Sequence, residues 1–341
     1  MTKLFQDNQS VYLSRNNTNC IKGFFAIIVV LAHIRGQLTV LNNTIIGQIL
    51  TASGYLSVAV FFFISGYGLQ ISYAAKREMY INTFFQNRIF PFYCICLFNA
   101  AVYILFYMIV GNTSLLELRN ILSSVILGPT IIQNGWYLQT ILLFYFCFWQ
   151  IYRLFSSDNQ KLLAVVFCMF AYCLLCLIQG RGPYSYVSVF AFPMGILWCH
   201  KQEQIDKMLR IKKNYFLWLI LNFVFFCITL LLGNYPILPK MCMITLRCLS
   251  SLFFVLCVLM LVMKIRISFS ILQFLGRISS NIYTLHGIFI LLFKDNFPIL
   301  NPFLYTISVL VCSITLSYLL YPIVQFITER AKWLITPLIT K

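Results

Sequence analysis

Charge is what this chain has least of. Only 10% of its 341 residues are charged, and just eight are Asp or Glu. A soluble domain carries roughly 25% charged residues, so a water-soluble globule is excluded. The shortage of carboxylates also argues against ion-coupled transport, which commonly places acids inside the membrane. There is no Gly-rich phosphate loop, no metalloprotease helix motif and no Gly-x-Ser-x-Gly elbow. Histidine occurs three times, so each one needs an explanation.

What remains is 61% hydrophobic and 17% aromatic. That is the composition of an all-α, polytopic membrane helix bundle. The thirteen cysteines sit mainly inside apolar runs, as Cys168, Cys173 and Cys176 do. Cys173 and Cys176 have redox or metal-ligand spacing but no further ligand close by, so buried free thiols are expected, with neither disulfide nor metal. Met1 to Asn19 is polar and lacks a small-residue cleavage site after a short apolar core. No cleaved signal peptide is expected, and the first span would act as its own targeting signal.

Hydropathy predicts about ten transmembrane helices, at 21–41, 54–74, 89–110, 135–153, 161–179, 184–200, 214–232, 244–263, 278–294 and 303–325. Pro193 and Gly195 interrupt the sixth. The ninth is short and precedes Pro298 and Pro302. The domain expectation is one integral-membrane unit over 1–341, with a short cytoplasmic N-terminal segment 1–19, spans from about 21 to 325, and a cytoplasmic tail 326–341. Of the 25 cations, those expected outside are Arg35, Arg119, Arg181, Lys240, Arg247 and Lys294. All others fall in inner segments if both termini are cytoplasmic, as the positive-inside rule requires. The net charge of +17 is therefore topology, and nucleic acid is not an expected partner. The loop 111–134 carries Leu115, Leu116, Leu118, Ile121, Leu122, Val125 and Ile126. This stripe fits either an interfacial helix over a substrate entrance or a plain connector.

The first span holds Lys22 and, eleven residues later, His33. That spacing is roughly 16 Å of helix and puts an imidazole near the bilayer midplane. A core histidine and a functional one both fit. The second span reads Phe62-Phe63-Ile-Ser65-Gly66-Tyr67, where Ser65 and Gly66 admit a close neighbour. The third opens with Arg88-Ile-Phe-Pro91. Arg88, with Lys76 and Arg77 near it in sequence, suits a phosphate ligand at a helix N-terminus or anionic lipid. The fourth carries Trp136, Leu138, Phe144 and Tyr145. The ninth carries Ser279, Ser280, Tyr283 and His286. Tyr283 and His286 share a helical face, and His286 is expected at a depth like that of His33. His200, beside Lys201, is read as a solvated helix end.

In order and over nearly the whole chain, these segments resemble acyltransferase family 3, the integral membrane O-acyltransferases of bacterial cell-surface polysaccharides. The departures are Lys22 where arginine is usual, Phe85 where a second arginine is common, and Ile141 and Leu142 where some members have acids. The resemblance implies transfer of an acyl group, most often acetyl, from cytosolic acetyl-CoA to a hydroxyl of an extracytoplasmic glycan. The setting would be the bacterial cytoplasmic membrane, with acyl-CoA as co-substrate and no permanently bound cofactor. It also implies roles for His33, with His286 and Tyr283, in catalysis. Lys22, Arg88, Lys76 and Arg77 would hold the anionic donor. His33 would act as general base or as the nucleophile of an acyl-imidazole. The competing reading is a polysaccharide or lipid-precursor transporter or flippase, which needs no donor site. An inactive assembly partner is a third.

Overall fold

The computed structural model describes residues 11–42, 44–112, 116–126, 131–235, 237–265, 267, 269–294 and 297–339. Leu115 of the loop stripe and the cations Lys3, Arg266 and Lys341 lie outside the described residues. Among those described there is no strand. The helices are α1 (Arg15–Arg35), α2 (Ile45–Lys76), α3 (Glu78–Asn82), α4 (Phe90–Val110), α5 (Leu118–Ile126), α6 (Trp136–Leu154), α7 (Asp158–Ile178), α8 (Ala191–Arg210), α9 (Lys212–Gly233), α10 (Lys240–Lys264), α11 (Ser270–Arg277), α12 (Ser279–Leu292), α13 (Phe297–Leu300) and α14 (Pro302–Ile339).

Each expected span falls on one of these helices. By length and composition seven are apolar enough to cross a membrane: α1, α2, α4 with its preceding turn, α7, α9, α10 and α14. Of the remaining three, α12 is apolar but short. These helices fit a multi-pass membrane protein. Several boundaries move. α1 starts at Arg15, inside the segment expected to precede it, and α14 runs to Ile339 through the expected tail. The sixth expected span, 184–200, is broken just ahead of Pro193, with a 3-10 turn at Pro183–Ser185 and further turns up to residue 190. α8 begins only at Ala191, so Pro193 sits in a first turn where its missing N–H costs nothing.

The chain folds as two compact units. The first comprises 1–25, 52–78 and 155–276, and the second 26–51, 79–154 and 277–341. Within the first, α2 crosses α8 at backbone contact, with Gly66 facing Phe192 O and Gly195 facing Phe63 O. Small residues are what let helices approach this closely in lipid. Tyr67 Oη donates to Gln202 Oε1 beside the crossing at 2.9 Å. α1 meets α11 in the same way, Gly23 against Leu272 O and Gly276 against Asn19 O. α9 and α10 form a hairpin closed by Tyr215 Oη to Met260 O at 2.8 Å and Arg247 Nε to Gly233 O at 2.8 Å. At the start of α7, the buried Lys161 ammonium donates to Tyr73 Oη at 2.8 Å and Ser156 O at 2.9 Å.

In the second unit α4 packs with α12 and α14. A π-turn at Phe85–Ile89 precedes α4. Pro91 has no N–H to give to the carbonyl four residues back, and the turn before it widens. Gly111 closes α4 in the left-handed region, φ 72°, with its N–H on the last carbonyls. The loop helix α5 is held against α4. Tyr93 Oη donates to Val125 O, and Tyr93 lies about 26 Å along the helix from Val110. α5 therefore reaches back alongside α4. Leu118 and Leu122 are exposed, while Ser124 is buried and accepts from Ile131 N–H at 3.0 Å. Its apolar side faces outward, as suits a segment bordered by lipid rather than water.

Candidate functional site

The site lies in the second unit and begins with two imidazoles. His33 is in the last turn of α1, which corrects its expected place near the middle of a span. The helix stops there because the chain tightens. The amides of Gly36, Gln37 and Leu38 donate three residues back, to His33 O, Ile34 O and Arg35 O. His286 is halfway along α12 and fully buried, whereas His33 keeps part of its surface accessible. His33 Nδ1 lies 2.7 Å from His286 Nε2, and the rings are nearly parallel with centroids 4.8 Å apart. His286 Nδ1 lies 3.2 Å from Ile282 O, one turn earlier.

This chain of contacts assigns the protons when both rings are neutral. A carbonyl only accepts, so His286 Nδ1 carries the hydrogen. His286 Nε2 is then an acceptor, and His33 Nδ1–H donates to it. His33 Nε2 is left with a free lone pair on the accessible ring. One atom of the pair is thus prepared to take a proton or attack a carbonyl.

Tyr283 packs on His286 with ring centroids 6.0 Å apart and on Tyr137 at 5.2 Å. Its hydroxyl does not turn to His33. It donates to Asn134 O at 2.8 Å, and Asn134 is in the left-handed region with φ 59°. Tyr103 Oη donates to Thr284 O at 2.9 Å from α4. Gly287 leaves room for both neighbours, since a Cβ there would come within 3.0 Å of Tyr103 Oη and Gln133 Cβ. The segment 131–135 and α4 thereby clamp α12 where His286 emerges. Tyr103, Gln133 and Asn134 were missed as site residues. The Asn134-Gly135 turn dipeptide was the available signal.

The cations divide between the units. Lys22 (half-buried on α1), Lys76 and Arg77 belong to the first. Lys76 and Arg77 are exposed at the end of α2, and the Arg77 guanidinium stands 5.5 Å over the Tyr73 ring. Arg88 belongs to the second unit and is exposed on the π-turn before α4. His200 is not a helix end. α8 continues ten residues beyond it, and its Nε2 is buried without a hydrogen-bond partner.

A family model described as an acyltransferase domain, acyltransferase family 3, matches residues 15–322. The chain belongs to acyltransferase family 3. The matched region contains every helix from α1 to α13 and all of the residues just described. No curated protein and no solved structure matches the chain. Family membership supports a membrane acyltransferase, and the histidine pair is the group in the second unit whose chemistry suits that activity.

Proposed function

We propose that the chain is a multi-pass O-acyltransferase of the bacterial cytoplasmic membrane, with ten spans and both termini cytoplasmic. It moves an acyl group, acetyl in the first instance, from cytosolic acyl-CoA to a hydroxyl of an extracytoplasmic polysaccharide or its precursor. The observation that carries this reading is the bond from His33 Nδ1 to His286 Nε2, backed by Ile282 O. It leaves His33 Nε2 as the base. The acceptor hydroxyl gives its proton to that nitrogen as its oxygen attacks the thioester carbonyl. The C–S bond then breaks, and the departing CoA sulfur takes the proton from His33. The products are an ester and CoA thiol, and both imidazoles end neutral.

His286 acts through His33, holding the ring and its tautomer. Tyr283 is a positioning residue that fixes segment 131–135. Arg88 is the cation of the second unit assigned to the phosphates of the donor.

Sealed vesicles carrying the chain, given radiolabelled acetyl-CoA and host glycan, test the reading. Label should enter glycan with wild type. It should fall about 5- to 150-fold with His286→Ala, the equivalent of a buried hydrogen bond worth about 1–3 kcal/mol. His286→Gln, whose side-chain carbonyl can accept from His33 Nδ1–H, should recover part of the loss. Glycan crossing the membrane without donor, and no label in it, would favour the flippase and defeat the proposal.

A further inference from the structure

The first unit contains an apolar groove of about 920 Å³ that the histidine pair does not use. α7 lines it from Leu162 to Leu177 and α10 from Met241 to Leu252, with Pro193 and Leu197 of α8 between them. Leu162 to Leu177 is about 22 Å of helix, most of a hydrocarbon core of about 30 Å. Tyr186 and Thr245 supply the only hydroxyls in its lining, and Thr245 Oγ1 is already bonded to Met241 O at 3.0 Å. Water would find almost no partners there. The groove opens sideways, since lining residues such as Phe167, Leu174 and Met241 are also exposed.

Cations adjoin lining residues in the chain at one end of the groove. Leu177 and Met241 line the same groove. Arg181 follows Leu177 by four residues, Lys240 adjoins Met241, and Arg247 adjoins the lining Cys248. The sequence has no Asp or Glu between Asp158 and Glu203, nor between Asp206 and Asp295. The ion pairs seen among the described residues use Lys161 and Lys207, both toward the other end of their helices. Arg247 Nε is taken by Gly233 O at 2.8 Å, which leaves the exposed Arg181 and Lys240 beside a hydrocarbon slot and a bilayer with no carboxylate assigned to them. The chemistry that answers both features is a hydrocarbon chain ending in a phosphate.

We propose that this groove is a lipid site. It holds an acyl chain of an anionic bilayer phospholipid, whose phosphate lies at the end marked by Arg181 and Lys240. The site is separate from the proposed transfer chemistry, and its test does not depend on transfer.

The full chain is reconstituted with trace phosphatidylglycerol or phosphatidylcholine carrying a photoactivatable group in the tail. After illumination, labelled peptides are mapped. Label should concentrate on α7 and α10, with phosphatidylglycerol exceeding phosphatidylcholine. Ala171→Phe, which fills the slot, should lower labelling at least fivefold. Arg181→Gln, in the loop after α7, leaves the slot intact and should reduce the preference for the anionic lipid about fivefold, the size of one interfacial cation. Uniform label over all exposed helices, or no headgroup preference, would overturn the proposal. So would displacement of phosphatidylglycerol by much lower mole fractions of a polyisoprenyl phosphate, which would reassign the groove to a lipid-linked glycan carrier.

Discussion

Replacing His33 with alanine is expected to lower the acyl-transfer rate by about 10²- to 10⁴-fold, the range for loss of a positioned general base. The loss should fall on turnover rather than on donor affinity. The cation assigned to the donor is untouched, and the substitution removes an accessible ring edge rather than a core side chain. Steady-state kinetics with varied acyl-CoA separate the two effects. An unchanged turnover would eliminate both the base and the acyl-imidazole versions of the mechanism. The effect of His286→Ala should be smaller, because His33 Nε2 remains in place and only its tautomer and orientation are released.

The second large effect is on stability. Gly66→Val is expected to destabilise the first unit by roughly 3 kcal/mol, the upper range for overpacking. A Cβ there runs into the backbone at Phe192 O and C, and Phe192 belongs to α8, which presses Gly195 against Phe63 in return. Backbone cannot swing aside as a side-chain tip can. Gly68, two residues on, meets nothing within 4 Å. Gly68→Ala should be neutral, or stabilising by about 0.5–1 kcal/mol from helix propensity. Thermal unfolding of the purified protein in detergent compares the two. Equal midpoints for Gly66→Val and Gly68→Ala would contradict the crossing.

Much of this fold was legible because hydropathy and helix length are local signals. Apolar runs gave the spans, and Ser65-Gly66 announced a close helix neighbour. What was hidden is set by distant packing. Where α1 ends depends on the tightening after His33, so composition alone put the histidine in mid-span. Pro193 marks a real break in the apolar span 184–200, but the break falls at the start of α8 at Ala191, which continuous apolar sequence does not locate. The stripe of α5 fixed its amphipathicity but not the surface it lies on, which the bond from Tyr93 reveals. The site was half legible. His33, Tyr283 and His286 stood out as polar groups in apolar helices. The contact between His33 and His286 joins residues 253 apart, and no periodicity reports such a contact. The proton positions rest on Ile282 O behind His286, a contact set by how the ring is turned.

The measurement that bears most directly on the mechanism is the ¹⁵N spectrum of protein labelled only at histidine, reconstituted at neutral pH. With three histidines in the chain, His200→Gln leaves just the pair. Both remaining rings should be neutral, with hydrogen on Nδ1 and a bare Nε2. A hydrogen on Nε2 of His33 would remove the lone pair on which the proposed transfer depends, and would contradict the account.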